Sequence, residues 1–157
     1  MVTDDERGQM ATTEQSDEWA QAEGAAPSPV TRVLLYSDHV QTRDAVMLAV
    51  GRRAAKDLPR IEWLQVATHD AVISAVDRGG LDLLVLDGEA GKSGGMGLCR
   101  QIKDEVFRAP PVLVLIGRPD DAWLASWSEA DAVVSRPLDP IVLQDAVATL
   151  LRTRATA

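Results

Sequence analysis

The stretch LVLDGEAGKSGGMG, residues 84–97, joins a hydrophobic run to a glycine-rich loop and offers two kinds of chemistry. Gly91, Lys92 and Ser93 resemble the end of a phosphate-binding loop, in which backbone N–H groups surround the phosphates. Asp87 instead ends the hydrophobic run. A carboxylate is costly to bury in that position, so it is expected there where its charge is used.

The spacing of the glycines argues against the phosphate-binding loop. Such a loop needs a glycine five residues before Gly91, and that position is Leu86. Gly88 leaves the loop too short to wrap a phosphate. We therefore expect Asp87 to be the functional group, and a nucleotide-binding enzyme built on this loop is the weaker alternative. A purely structural alternative is that Asp87 caps the turn that follows it.

Five short apolar runs alternate with longer stretches of helical period, which predicts strands alternating with amphipathic helices. Nearly continuous apolar strands are typical of a parallel sheet covered on both faces. The sequence therefore predicts an α/β fold of three layers, α/β/α, around a doubly wound five-stranded parallel sheet. The predicted strands cover residues 32–37, 61–66, 81–87, 111–116 and 131–134. The last helix is expected to end near Arg152.

Acidic residues follow two strands that such a fold brings together. In a sheet of strand order 2-1-3-4-5, ligands bind beyond the carboxyl ends of strands 1 and 3, where the order reverses. Asp38 follows strand 1 and Asp87 ends strand 3. Two carboxylates in one crevice repel each other, which raises a pKa or recruits a hard cation such as Mg²⁺.

The charge of the chain is concentrated near its N-terminus. The formal net charge is −8, and residues 1–30 hold seven acidic residues and a single arginine. We predict a disordered acidic tail over residues 1–30, a folded domain over 31–152 and a short C-terminal tail over 153–157. If the first tail is instead a docking segment, Trp19 would anchor it. The acidic balance argues against a nucleic-acid partner.

Two further observations bear on location. No apolar run approaches the roughly 18 residues that span a membrane, and no secretory signal is recognisable at the N-terminus. Cys99 is the only cysteine, which excludes an internal disulfide and a thiolate metal cluster. Its place on helix 3 beside Leu98 and Ile102 predicts that it is buried. We expect a cytoplasmic protein with no membrane partner.

Several features in a fixed order make residues 31–152 similar to the receiver domain of two-component response regulators. They are an acid after strand 1, an Asp ending strand 3, a Gly-Gly pair opening helix 3, and a basic residue before Pro in VVSRPLDP. The resemblance implies that Asp87 accepts a phosphoryl group from the phosphohistidine of a histidine kinase or phosphotransfer protein. It also implies a Mg²⁺ ion held by Asp38, Asp87 and the backbone carbonyl of Glu89. Arg136 would then neutralise the phosphoryl oxygens.

Several positions depart from the pattern of that family. Ser37 replaces the first of two acids after strand 1, and the loss of a carboxylate should weaken Mg²⁺ binding. Ile116 replaces the hydroxyl residue that ends strand 4, and Val133 replaces the aromatic residue near the start of strand 5. Arg136 replaces a lysine with a planar, bidentate guanidinium. These changes predict an atypical receiver whose phosphorylation is slow or has little conformational consequence.

Trp123 and Trp127 lie four residues apart in the short helix before strand 5. On one helix face they would form an exposed aromatic patch of the kind that anchors protein partners. Alternatively, one of the two packs into the core. The resemblance implies signalling, and a candidate homodimer contact, through helix 4, strand 5 and helix 5. Glu129 stands where a helix-ending glycine is common, so helix 4 is expected to be irregular.

The sequence thus predicts a stand-alone receiver in phosphorelay signal transduction, with no enzymatic activity beyond its own aspartyl phosphorylation and dephosphorylation. Because no DNA-binding module is recognised, its output would be contact with a downstream protein partner. The alternative function is a protein-binding module that keeps the receiver shape and works without phosphorylation. Ser37, Ile116 and Val133 favour this alternative.

Overall fold

The computed structural model describes residues 29–91 and 94–156, which form a five-stranded parallel sheet with helices on both faces. The strands are β1 (Val30–Tyr36), β2 (Arg60–Val66), β3 (Leu83–Asp87), β4 (Val112–Ile116) and β5 (Ala132–Ser135). They lie in the order β2-β1-β3-β4-β5. The predicted fold class and strand order are confirmed, and the bounds of the predicted strands differ by one or two residues.

In the part of the chain that the structure describes, four α-helices and one 3-10 turn connect these strands, and a fifth α-helix follows β5. The helices are α1 (Val40–Val50), α2 (His69–Arg78), α3 (Gly95–Glu105), α4 (Ala122–Trp127) and α5 (Pro140–Thr156), with the 3-10 turn at Pro119–Asp121. Helix α2 shows how the local sequence sets such bounds. The Thr68 side chain accepts a hydrogen bond from the Ala71 N–H at its start, and Gly79, with φ of 75°, ends it.

Each face of the sheet has its own apolar core. Every side chain of β3 and β4 is buried, as expected for central strands covered on both faces. Val85 packs with residues of α1 and α5 on one face, and Leu84 packs with residues of α2 and α3 on the other. Cys99 is fully buried in the second core, as predicted. These two cores fix the carboxyl ends of the central strands in place.

The register of β1 and β3 brings the two predicted acids to one edge of the sheet. Tyr36 pairs with Leu86, so the residues that follow β1 stand beside the last residue of β3. On the other side, Asp87 pairs with Leu115 of β4. The carboxyl ends of the three central strands therefore surround Asp87.

The region of α4 is irregular, as the sequence predicts. The helix has only six residues and follows directly on the 3-10 turn. Just beyond its end Glu129 adopts φ of 65°, the left-handed conformation in which glycine is usual. A side chain at this position costs free energy that a glycine would not. Ala130 N–H nonetheless bonds back to the Ala125 carbonyl and closes the turn.

The last helix is longer than predicted. Helix α5 continues to Thr156, four residues beyond Arg152, so most of the predicted C-terminal tail is helical. The residues after Arg152 include no glycine or proline that would end the helix. Thr153 supports the extension, because its hydroxyl bonds to the Thr149 carbonyl one turn earlier. At the other end of the domain, β1 begins at Val30, one residue before the predicted boundary.

Some predictions lie outside the described residues. These are the acidic tail up to residue 28 with Trp19, and the loop residues Lys92 and Ser93. Within the part of the chain that the structure describes, no helix combines the length and apolar character required to cross a membrane.

Candidate functional site

Asp87 lies at the end of β3 with its side chain almost completely buried. Only 1% of the side chain is exposed. Its Oδ2 accepts a hydrogen bond from the Ser37 hydroxyl at 2.8 Å. Its Oδ1 accepts one from the Arg136 guanidinium at 2.9 Å and one from the Glu89 backbone N–H at 3.0 Å. We call these four residues, Ser37, Asp87, Glu89 and Arg136, the acceptor cluster. Charge-assisted hydrogen bonds of this kind offset the cost of burying a carboxylate.

Ser37 occupies the position of a second acid in the receiver family, and its hydroxyl carries no charge. It is fully buried, and its hydroxyl donates to Asp87 while accepting a hydrogen bond from the His39 N–H at 3.1 Å. Its backbone carbonyl accepts a hydrogen bond of 2.6 Å from Arg43. A carboxylate at this position would stand directly against Asp87. The serine therefore converts a repulsive contact into a hydrogen bond.

Arg136 reaches the cluster from the loop after β5. Its backbone N–H bonds to the Ile116 carbonyl at 2.9 Å, which anchors the start of this loop to the end of β4. Besides its contact with Asp87, its Nε lies 3.6 Å from Glu89 Oε2. The guanidinium thus stands between two carboxylates, one buried and one half-exposed.

Glu89 contributes more than the backbone carbonyl that the sequence analysis assigned to it. Its N–H bonds to Asp87, so Asp87 does cap the turn that follows it, in addition to its other contacts. Its carboxylate lies over Gly117, where any Cβ would collide with it. This contact was not predicted from the sequence. The available signal was a glycine directly after a buried strand, which often marks a close approach of another group.

Asp38 stands at the rim of the cluster. Its side chain is about one-third exposed, and its Oδ1 lies 3.6 Å from Nε2 of the exposed His39. Its Oδ2 lies against the backbone at Gly91, within 2.7 Å of where a Cβ would stand. Burial of the ring, followed by the negative charges of Asp38 and Asp87, raises the pKa of Tyr36. The two predicted acids are thus close enough to act on the same side chain.

The groups predicted to hold a divalent cation all lie among the described residues. Within the described residues, 29–91 and 94–156, no group of three or more His, Cys, Asp or Glu side chains is placed to hold a metal ion. The predicted ligands comprise two carboxylates, from Asp38 and Asp87, and the carbonyl of Glu89. Mg²⁺ is commonly bound by one or two carboxylates together with phosphate oxygens and water. The donor set fits a weak Mg²⁺ site of that kind.

No polar side chain reaches the cluster from the end of β4. Ile116 is 2% exposed and belongs to the core packed under α3 and α4. On β5, Val133 is partly exposed at the edge of the sheet and pairs in register with Val114. The hydroxyl and the aromatic ring usual at these positions are both replaced by aliphatic groups. We call the residues Ile116, Trp123, Trp127 and Val133 the signalling edge.

Both tryptophans of α4 are on the surface. Trp123 is 68% exposed and Trp127 is 54% exposed, so neither packs into the core and that alternative is wrong. Arg100 of α3 lies over the ring of Trp127, 5.6 Å from its centre, and bonds to the Trp127 carbonyl. Ala125 and Ser128 are the buried residues of this segment instead. Trp127 therefore borders α3.

Comparison with known proteins finds relatives of similar sequence. Two curated proteins from Mycobacterium tuberculosis, strains CDC 1551 / Oshkosh and ATCC 25618 / H37Rv, are each 56% identical to this chain over 128 residues. Both are named uncharacterized response regulatory proteins, and the match covers 82% of this chain and 96% of each relative. No family model matches the chain.

Solved structures share the fold of this chain. The structure of a two component transcriptional regulator AraC from Clostridium phytofermentans superposes with a TM-score of 0.66, 21% identity, and coverage of 80% of this chain and 95% of that chain. The signal receiver domain of a signal transduction histidine kinase from Syntrophus aciditrophicus gives a TM-score of 0.65, 20% identity, and coverage of 78% and 91%. At these identities the structures show that the fold is shared.

Proposed function

This chain belongs to the response regulator receiver family, and we propose that Asp87 is its phosphoryl acceptor. The observation that carries the proposal is the environment of this carboxylate. Asp87 ends a buried central strand, it faces the cation Arg136, and a second acid, Asp38, stands nearby. A carboxylate that merely capped the turn would need only the Glu89 N–H.

The proposed reaction is an in-line displacement at phosphorus. A carboxylate oxygen of Asp87 attacks the phosphorus of a phosphohistidine on a histidine kinase or phosphotransfer protein. The phosphorus–nitrogen bond breaks, its electron pair stays with the imidazole nitrogen, and an acyl phosphate forms on Asp87. Positioning and neutralisation of charge contribute most in such transfers. Arg136 is placed to contact the phosphoryl oxygens, since it already touches the acceptor carboxylate.

Mg²⁺ is part of the proposal. When bound, it would supply positive charge that lowers the repulsion between the incoming phosphoryl group and the carboxylates. Asp38, Asp87 and the carbonyl of Glu89 would hold it. Because Ser37 contributes a hydroxyl where the family has a carboxylate, we expect weak binding of the ion. We expect no enzymatic activity apart from transfer to Asp87 and loss of the phosphoryl group from it.

The output of the proposed receiver is contact with other proteins in the cytoplasm. Trp123 and Trp127 give the signalling edge two large exposed aromatic side chains, a residue type enriched in binding hot spots. A downstream protein, or a second copy of this chain, would bind here through α4, β5 and α5. The side chains of Ile116 and Val133 cannot hydrogen-bond to a phosphoryl group, so little conformational change is expected there.

The test is phosphorylation by acetyl phosphate, followed by intact mass measurement with and without Mg²⁺. We expect a Mg²⁺-dependent adduct of one phosphoryl group on the wild type and none on Asp87→Asn. Asp77→Asn, an exposed acid at the far end of α2, is the matched control and should be labelled like the wild type. An adduct of equal yield on Asp87→Asn would refute the assignment of the acceptor.

A second candidate function is a receiver-shaped binding module that works without phosphorylation. The specific observation in its favour is that three donors already satisfy the Asp87 carboxylate, while the side chains of Ile116 and Val133 are aliphatic. It predicts that the proteins co-purified from cells are the same for the wild type and Asp87→Asn, and are lost from the Trp123→Ala, Trp127→Ala double variant. Loss of those proteins from Asp87→Asn alone would contradict it.

A further inference from the structure

The Arg136 guanidinium is incompletely satisfied in the acceptor cluster. Its terminal nitrogen bonds to Asp87 at 2.9 Å, but its Nε is buried and makes no hydrogen bond to any residue that the structure describes. A buried N–H without a partner costs free energy comparable to a lost hydrogen bond. A second position of the guanidinium in which Nε gained a partner would recover that cost.

A candidate hydrogen-bond partner for Arg136 Nε lies 3.6 Å away. Glu89 Oε2 lies at that distance from Nε. Closing the gap by about 0.7 Å would give a hydrogen bond of ordinary length. The Glu89 side chain is 54% exposed, so its carboxylate can adjust at little cost. Gly117 provides the space in which this carboxylate lies, because a Cβ there would occupy the same volume.

We infer that the Arg136 guanidinium has two positions, one on Asp87 and one on Glu89, and that a divalent cation at Asp87 drives it from the first to the second. Two cations on one carboxylate repel each other strongly in a buried site. The Asp87 side chain is 1% exposed, so water screens little of that repulsion. Glu89 then receives the displaced guanidinium and completes the unused Nε hydrogen bond.

In this arrangement Arg136 sets the affinity of the site for metal, and Glu89 is a positioning residue that acts through Arg136. In the metal-free protein the Arg136 guanidinium is bound to Asp87, so Mg²⁺ must compete with Arg136 for this carboxylate. The inference rests on the proposed function only in taking the Asp87 site to bind Mg²⁺. The test uses Mg²⁺ without a phosphoryl donor, so failure of labelling and failure of this inference are separate results.

The experiment is calorimetric titration of Mg²⁺ into four proteins: the wild type, Arg136→Met, Glu89→Gln and the double variant. We expect Arg136→Met to bind Mg²⁺ about tenfold more tightly than the wild type, since one neighbouring charge shifts the cation affinity of a carboxylate by about that factor or more. We expect Glu89→Gln to bind more weakly than the wild type. In the Arg136→Met background, Glu89→Gln should change the affinity by less than about twofold, because the guanidinium that it positions is absent.

Two results would overturn the inference. One is an affinity of Arg136→Met equal to or weaker than that of the wild type, including the case in which neither protein binds. The other is an equal loss on Glu89→Gln in both backgrounds, since Glu89 would then act only as a nearby negative charge. Glu105→Gln, at the opposite end of α3, controls for net charge and should bind like the wild type. If Arg136→Met fails to fold, the cycle is run with Arg136→Gln, which also removes the guanidinium charge and should likewise cancel the effect of Glu89→Gln.

Discussion

The acceptor cluster and the signalling edge are built in opposite ways. In the acceptor cluster, a buried carboxylate is held by three hydrogen bonds within 3.0 Å. At the signalling edge, Ile116 is buried among apolar groups and both tryptophans of α4 face solvent. The first region is polar and closely fitted, and the second combines an aliphatic interior with an aromatic exterior.

Under the proposed function, this difference would separate the site of phosphorylation from the surface that contacts other proteins. A phosphoryl group on Asp87 would alter the charges around Arg136 and Glu89, whose contacts are electrostatic and sensitive to that change. Ile116 and Val133 offer no donor that could respond. A change in charge would therefore reach the rest of the molecule through the loops that carry Glu89 and Arg136.

The largest effect should come from filling the space behind the acceptor. A Cβ at Gly95, the first residue of α3, would lie 2.6 Å from the Asp87 carbonyl oxygen. The obstructing atom belongs to the backbone of β3 and cannot turn aside, so we expect Gly95→Ala to lower the free energy of unfolding by about 2–3 kcal/mol. Urea denaturation measures this directly.

Gly97, two residues further along α3, is the matched control. A Cβ there meets nothing within 4 Å, so Gly97→Ala should be neutral or stabilising by up to about 1 kcal/mol. If both variants are equally stable, the start of α3 is not packed against β3 as described. The close fit of the acceptor region would then no longer distinguish it from the signalling edge.

A hydroxyl introduced at position 116 should give the signalling edge a hydrogen-bonding group, as in the acceptor cluster. Ile116→Thr replaces a buried apolar side chain, so we expect a loss of about 1–2 kcal/mol in stability. The new hydroxyl would be able to donate to a phosphoryl group, and a hydrogen bond to a charged group contributes about 1.5–3 kcal/mol. Labelling by acetyl phosphate should therefore be roughly tenfold faster. Ile116→Val, which adds no hydroxyl, should show no such gain.

Local patterns in the sequence predicted the fold, and the resemblance to receiver domains supplied most members of the acceptor cluster. Alternating apolar runs indicated the strands, and the strand order placed Asp38 and Asp87 at one edge. The departures at Ser37 and Arg136 were also visible in the sequence. What each of these side chains contacts in the folded chain was not.

The missed features depend on contacts that sequence spacing does not encode. The Glu89 carboxylate meets Gly117 and Arg136 across two loops whose geometry is set by β4 and β5. The end of α5 was misplaced because the threonine and arginine residues that follow Arg152 are compatible with either a helix or a tail. The exposure of both tryptophans depends on the short α4, in which Ala125 takes the buried position.

Truncation of the tryptophans should affect stability much less than either change above. Trp123 is 68% exposed, so we expect Trp123→Ala to change the free energy of unfolding by less than about 0.5 kcal/mol. Trp127→Ala should cost up to about 1 kcal/mol, because it removes the ring under Arg100. Thermal denaturation of the two variants side by side tests the order. A loss of more than about 2 kcal/mol for Trp123→Ala would indicate a packing role instead of a contact surface.

The smallest effect concerns Tyr36, the only tyrosine of the chain. Burial, then the charges of Asp38 and Asp87, raises its pKa above the ordinary value of 10.0. The unfolded chain therefore loses this proton first, and stability falls as the pH rises above about 10. Titration of the tyrosinate absorbance should give a lower midpoint in Asp38→Asn than in the wild type, a smaller decrease in Asp87→Asn, and no change in Trp123→Ala. Equal midpoints in all four proteins would mean that burial alone sets this pKa, and that the acceptor region differs from the signalling edge in packing but not in its electric field.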